Sequence, residues 1–525
     1  MVVVEFDYNE FKEFFGEEKE KTMEILNKIG APVEVDSETG KVFAEITPNR
    51  PDWYSVLGLA RAVQAYKTGK AKKYEVEKTN LQIIVDKKVS KIRPYTVGAV
   101  VKGLKLSERD VRDIVLLQEK LISTLGRWVK KFGLGVYPAE KIAFPLYYTT
   151  LPPKKIVYKP LNYPKEADAE EILREHPKGQ AYGHIIKEHK EWPVYLDANK
   201  KIMALIPVVN SEETGKIEAS TKDIFVEVTG IDSNSINQAL NIIVCHLADL
   251  GGKIYSVDVV YPNKKIITTP NLDYQEVKIT PAKIKKVLGV EIKENEIKEC
   301  LAKMGYLVEQ NKVYIQPYRA DIIGEIDIIE DVAIAYGYEN FEPTIPDFFS
   351  VGKKDRKREE LSSIMQRMGF VEVVTPILTD EEKLSEFGFK GIKILNPKTK
   401  EYTTIRSTLI PSMIEVLNKN KMAGLPQKFY EIGKVIENDK EKEMLCLAVV
   451  GNYEFAEVRG YLQTLFKEYG KEFKLNKKEY DFLDPNYSSQ IIVDEQSIGF
   501  GGRLKDEIKN KFGFAGDVYI YVIEV

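Results

Sequence analysis

At 525 residues the chain is too long for one hydrophobic core, and three or four domains are expected. Its 77 basic and 80 acidic residues leave a net charge of −3, which argues against a surface that grips nucleic acid throughout; any RNA contact should be local or shared with another chain. No run of about 18 apolar residues, no signal peptide and no CxxC or HExxH is present, so a membrane span, a zinc site and a disulfide framework are not expected, and the compartment reads as cytoplasmic.

Residues 1–85 read as an α/β module: strand 1–6, helix 8–29, strands 33–35 and 42–46. The run TPNRPDWYSVLGLARAVQAY follows, in which Pro48 and Pro51 restrict Asn49 and Arg50 and fix a rigid loop before a helix over 55–66. Asp52 is the candidate cap of that helix. Residues 86–265 alternate strand and helix in a mixed α+β pattern with antiparallel strands. They contain no Gly-rich phosphate loop and no GxSxG, so nucleotide binding and covalent nucleophilic hydrolysis lack support there. The module does offer a polar edge. Asn210 and Ser211 end one strand, Glu227 and Thr229 share one face of another, and Gln118 and Arg127 come from the preceding helix and its end.

Residues 266–345 order as helix, helix, hairpin and helix, a winged-helix-like sequence of elements. Its candidate recognition helix, EIKECLAKMGY, has only two lysines, so DNA binding is not expected. Within it, YRADIIGEIDIIEDVAIAYGY (318–338) places Ile326, Ile329, Val332, Ala333 and Tyr336 at helical spacing. Asp327, Glu330 and Asp331 then share one helix face, with Asp321 one turn earlier. Carboxylates converging in this way repel one another unless a cation intervenes, and hard oxygen donors suit Mg²⁺ or Ca²⁺; the alternative is an acidic first turn that complements the helix dipole. Residues 346–525 read as a helix followed by an antiparallel sheet with helical insertions. The strand 428–435 has a glycine inside it and no arginine, and GFGGR at 499–503 reads as readily as a hairpin turn.

The runs TPNRPDWYSVLGLAR, LNPKTKEYTTIRSTLIP and YRADIIGEIDIIEDVAIAYGY, with RPYTVGAV, LQEKL, LGR, HPKG, PVVN and EVTG in that order, resemble the beta subunit of phenylalanyl-tRNA synthetase of the archaeal/eukaryotic type. The resemblance spans the whole chain and implies an α+β, multidomain fold. Its parts would be an α/β N-terminal module (1–85), a mixed α+β editing-type module (86–265), a winged-helix-like module (266–345) and a class II synthetase-like antiparallel sheet domain (346–525). The last would be catalytically inactive and form the subunit interface, Arg503 being its one candidate for a nucleotide-binding arginine. The resemblance further implies that Asp321, Asp327, Glu330 and Asp331 ligate Mg²⁺ near the alpha subunit. It implies an α₂β₂ heterotetramer acting on tRNA(Phe), in which the alpha subunit uses ATP and phenylalanine. It also implies proofreading, in which Gln118, Arg127, Asn210, Ser211, Glu227 and Thr229 surround tyrosine misattached to tRNA(Phe). The chain departs from the family pattern in having Trp128–Val129 where a second arginine is expected after Arg127, and SEETGK without a histidine after Asn210. A nucleic-acid-binding regulator and a stand-alone editing hydrolase are the alternatives.

Overall fold

The strand Val2–Phe6 pairs antiparallel with Val42–Ile46, which also pairs with Val33–Val35. The computed structural model describes residues 2–16, 19–309, 312–345, 350–352 and 356–525, with the side chains of 8–11 excepted. The helix expected over 8–29 is two helices, Tyr8–Phe15 and Lys19–Lys28. Gly16, at φ +85°, ends the first. The helix after the TPNRPD loop, Val56–Thr68, is capped by Ser55, whose Oγ accepts from Gly58 N at 3.1 Å. Asp52 is therefore not the cap. It is buried and takes the Arg50 guanidinium in a bidentate pair at 2.9 and 2.8 Å. The guanidinium carbon lies 3.4 Å from the centre of the Trp53 ring.

The chain divides into two units, Met1–Ile345 and Pro346–Val525. The first is dominated by an eleven-stranded sheet. Its main path runs Val209–Asn210, Ile202–Leu205, Trp192–Leu196, Leu146–Leu151, Gln82–Val85, Lys253–Val260, Tyr95–Lys102, Ile224–Gly230 and Phe132–Pro138. This sheet recruits Gln82–Val85 and Ile266–Thr269, so it extends beyond residues 86–265 on both sides. Alternation sorts the strand Ile224–Gly230 by face. Ile224, Val226 and Val228 pack in the core with the helices Glu108–Ser123 and Ser233–Asp249, while Phe225 packs in a second core on the other face.

Residues 281–336 follow the expected order of elements, helices Pro281–Leu288 and Glu294–Lys303, strands Leu307–Glu309 and Lys312–Ile315, and helix Glu325–Tyr336, but an unexpected strand, Gln275–Lys278, precedes them and pairs antiparallel with Lys312–Ile315. In the last helix Ile328, Ile329, Val332 and Ala333 are buried, but Ile326 is 57% exposed. The spacing read from Ile326 was thus displaced; Ile328 supplies the buried position.

The second unit carries a seven-stranded sheet, ordered Val371–Glu372, Gln427–Glu437, Lys440–Gly451, Asp517–Glu524, Gln496–Arg503, Ser489–Val493 and Lys474–Lys477. All its pairings are antiparallel except the first. The GFGGR run lies within the strand Gln496–Arg503, and the turn is made by Asp494 and Glu495 at φ +49° and +61°. Gly433 has a packing reason. A Cβ there would meet Arg406 Nη2 at 2.5 Å, because the buried Arg406 side chain crosses the strand to reach Glu431 at 3.0 Å.

Candidate functional site

A cavity of about 670 Å³ opens between the two ends of the large sheet. Phe132–Pro138 contributes Gly133, Leu134 and Val136; the opposite end contributes Leu205, Val209 and Asn210. Its remaining walls include Gln118 from the helix Glu108–Ser123 and Tyr182 from the helix Pro177–Tyr182. Glu227 and Thr229 reach into it from the strand Ile224–Gly230. A volume of this size and mainly apolar walls with a few polar groups suit a ligand with an aromatic or aliphatic body.

Glu227 is buried, and burial pushes its carboxyl up to about 8. It fits because the residue opposite it on the neighbouring strand is Gly135; a Cβ there would stand 2.6 Å from the Tyr137 hydroxyl and 2.8 Å from Glu227 Oε1. The Tyr137 hydroxyl lies 3.3 Å from Glu227 Oε1 and 3.2 Å from Asn210 Oδ1. One phenolic proton cannot serve both acceptors at once. A neutral Glu227 resolves the conflict: its own O–H donates to Tyr137, and Tyr137 donates onward to Asn210. Two buried oxygens are then left without a protein partner, Glu227 Oε2 and Thr229 Oγ1. Buried polar atoms are ordinarily paired, so unpaired ones lining a cavity mark where a ligand's polar groups belong.

Of the six residues expected here, Gln118, Asn210, Glu227 and Thr229 line the cavity. Gln118 also donates from Nε2 to Leu134 O at 2.6 Å, which braces the edge strand. The other two of the six lie outside the cavity's lining. Ser211 is buried as the cap of Glu212–Gly215, its Oγ accepting from Glu213 N at 3.3 Å, and does not line the cavity. Arg127 is exposed on the loop after the helix and does not line the cavity either. Sequence reasoning missed Tyr137, whose only signal was a hydroxyl among apolar and glycine residues in GLGVYP. It also gave Arg93 no role. That guanidinium is buried, donates to Val129 O at 3.1 Å and to Thr229 O at 2.9 Å, and fixes the loop and the strand end to one another.

The acids of the 318–338 run are arranged differently from the expectation. Arg319 Nη2 donates to both Asp321 Oδ2 and Asp331 Oδ2 at 2.7 Å, and Tyr306 donates to Asp331 at 2.5 Å. Burial alone would raise the Asp321 pKa, but the Arg319 charge and hydrogen bond, with the Arg50 charge behind them, hold it below the ordinary value. Asp327 Oδ2 accepts from Ile323 N and Gly324 N at 2.7 and 2.8 Å and so caps the helix. Glu330 is exposed and accepts from Tyr338 at 2.7 Å. Among the described residues no three acidic, histidine or cysteine side chains group as metal ligands. Here the partners of Asp321, Asp327, Glu330 and Asp331 are Arg319, Tyr306, the backbone amides of Ile323 and Gly324 at the helix start, and Tyr338. The Arg319 guanidinium places positive charge between Asp321 and Asp331.

Arg319 also belongs to a wider knot. Asp321 Oδ2 lies 3.9 Å from Arg50 Nε, and the Arg61 guanidinium lies 3.8 Å from the centre of the Tyr318 ring while pairing with Asp249 at 2.8 Å. The TPNRPD loop and the YRAD segment, 270 residues apart, are halves of one charge network.

A family model described as the tRNA synthetase B5 domain matches residues 277–338, and one described as the phenylalanyl tRNA synthetase beta chain CLM domain matches 343–525. The phenylalanine–tRNA ligase beta subunit of Archaeoglobus fulgidus is 34% identical over 543 residues, covering 100% of this chain and 98% of that protein. This chain belongs to the phenylalanine–tRNA ligase beta-subunit family. The Pyrococcus furiosus beta subunit is likewise 34% identical, over 93% of this chain and 92% of its own. The crystal structure of an N-terminal fragment of the beta subunit from Pyrococcus horikoshii matches with a TM-score of 0.60 and 36% identity, covering 64% of this chain and all of that fragment. As a beta subunit the chain is part of an aminoacyl-tRNA ligase, with an alpha-subunit partner and a tRNA substrate. Among the described residues no helix is long and apolar enough to cross a membrane.

Proposed function

We propose that this beta subunit proofreads, hydrolysing tyrosine misattached to tRNA(Phe) in the cavity around Glu227, while the alpha subunit of an α₂β₂ assembly charges tRNA(Phe) with phenylalanine using ATP and its Mg²⁺. The observation that carries this reading is the buried, unpartnered Glu227 Oε2 on the wall of a cavity that also holds Asn210 and Thr229. A tyrosyl side chain entering that cavity donates its phenolic proton to Oε2. A phenylalanyl side chain leaves Oε2 and the Tyr137 network behind it unmatched. A site built to pair with a substrate hydroxyl rejects the analogue that lacks one far more strongly than a synthetic pocket rejects an added hydroxyl, and this is the asymmetry a second sieve needs. Asn210 and Thr229 would hold the ester and the attacking water. Water adds to the ester carbonyl carbon, the bond to the ribose oxygen breaks, and that oxygen takes a proton to leave tyrosine and deacylated tRNA.

The second unit is proposed as a synthetase-like sheet without nucleotide chemistry. Arg503 ion-pairs with Asp484 and, at 3.3 Å, with Asp517, and Arg406 is buried against Glu431, so neither offers its charge to a triphosphate. Glu227→Ala in the assembled ligase should slow Tyr-tRNA(Phe) hydrolysis by about 10-fold or more and leave phenylalanine charging unchanged. An unaltered hydrolysis rate would sink the proofreading assignment.

A further inference from the structure

We propose that Trp128 is a stacking platform at the mouth of the Glu227 cavity, taking the terminal adenine of the tRNA acceptor end when the attached amino acid is inside; this rests on the proofreading reading above. The indole is 63% exposed, whereas the chain's other two tryptophans, Trp53 and Trp192, are buried. Exposed single apolar residues are common and by themselves mean little. This one differs in what holds it and in what it faces.

After the helix Glu108–Ser123 the backbone passes through three successive non-glycine residues in the left-handed region: Arg127 at φ +48°, Trp128 at +52° and Val129 at +66°. Such residues are uncommon singly, and a β-branched one is an outlier. The turn is nevertheless well secured. Trp128 N donates to Ser123 O at 3.3 Å, and Val129 N to Ile122 O at 3.4 Å. The Val129 side chain is buried, and its carbonyl takes the buried Arg93 guanidinium, whose other arm holds the carbonyl of Thr229. The conformation that pushes the indole outward is therefore tied directly to the strand that carries Glu227 and Thr229. Unusual backbone geometry maintained by its surroundings is the kind found at ligand clamps.

Trp128 lines the same cavity as Glu227, together with Lys178, Lys216 and Glu119. An aminoacyl ester with its side chain against Glu227 has its ribose and base outside the apolar interior, toward that rim. An exposed aromatic side chain on this secured turn meets the chemistry of an unpaired base, which binds by stacking, and Lys178 offers charge to the adjoining phosphate, whereas Lys216 is paired with Glu212 and Glu218.

The test uses the assembled ligase and two readouts. In steady-state hydrolysis of Tyr-tRNA(Phe), Trp128→Ala should raise KM by about 10- to 100-fold with kcat within about twofold, and Trp128→Phe should retain most of the wild-type KM. A non-hydrolysable amide analogue of tyrosyl-adenosine should quench tryptophan emission in the wild type, and that quench should vanish in Trp128→Phe, which stacks but lacks the fluorophore. If Glu227→Ala abolishes hydrolysis while Trp128→Ala leaves KM unchanged, or lowers kcat alone, the platform is refuted and proofreading stands. If Glu227→Ala has no effect, the proofreading reading falls and takes the platform with it.

Discussion

The most demanding expectation concerns Glu227→Gln, which mimics the neutral carboxyl at every pH. Burial raises the folded-state pKa of Glu227 to about 8, against about 4.5 in the unfolded chain. Below pH 4.5 both states carry the proton and the group contributes no slope. Between pH 4.5 and 8 the folded protein retains a proton that the unfolded chain has released, so stability falls as pH rises. Above pH 8 both are ionised and the loss is complete. At 1.36 kcal/mol per pH unit the total is on the order of 5 kcal/mol, a large part of the ~5–15 kcal/mol that holds a typical domain. The glutamine variant has no such titration, so its advantage over wild type should grow from pH 5 to pH 8 and then level off. Urea unfolding followed by tryptophan emission suits the measurement, because Trp53, Trp128 and Trp192 all lie in the unit Met1–Ile345. The amide can also donate to Tyr137 and accept from a phenol, so Tyr-tRNA(Phe) hydrolysis at pH 7 should survive this substitution. Stability curves for the two proteins that run parallel from pH 5 to 9 would refute the neutral-carboxyl argument.

Gly135→Ala should crowd the Tyr137 hydroxyl and Glu227 Oε1, costing about 1–3 kcal/mol of stability. Deacylation and charging assays on the same preparation should show Tyr-tRNA(Phe) hydrolysis reduced and phenylalanine charging retained. Arg319→Met leaves the two carboxylates it now bridges, Asp321 and Asp331, without that guanidinium. It should cost about 3–5 kcal/mol by urea unfolding. Millimolar Mg²⁺ should recover part of that loss in the variant while leaving the wild-type midpoint in place; a wild-type midpoint that rises with Mg²⁺ would contradict the assignment of the charge to arginine. In the second unit, Arg406→Met strands Glu431 in the sheet core and should lower stability by a similar ~3–5 kcal/mol, measured by calorimetry.

The features legible in the sequence were those set by local rules. The i, i+2 spacing of Glu227 and Thr229 put them on one face of a strand, and both line the cavity. The order of helices and strands in 281–336 followed from caps, stops and periodicity, as at Thr280, Pro281 and Gly289, whereas the strand Gln275–Lys278 before them was not foreseen. What spacing could not supply was the partner of a charge. Four acids within eleven residues read as a cation site, but that Arg319, in the same run, bridges Asp321 and Asp331 is a tertiary fact that spacing does not carry. Tyr137 escaped notice for the same reason, since only the pairing of Gly135 with Glu227 makes its hydroxyl part of the site. Ser211 and Arg127 do not line the cavity because a polar residue at the end of an element can as easily cap the next element or face solvent. Gly433 was visible as an oddity in a strand, but its reason, an arginine crossing above it, lay 27 residues away.

The knot joining the TPNRPD loop to the YRAD segment limits how this polypeptide can be cut. An excised 277–338 piece, natural as its boundaries look by family matching, would carry Arg319 and Asp321 away without Arg50, and Tyr318 without the guanidinium of Arg61 stacked upon it. Dissection of this subunit into autonomous fragments should therefore respect the first seventy residues as part of any piece that includes that segment.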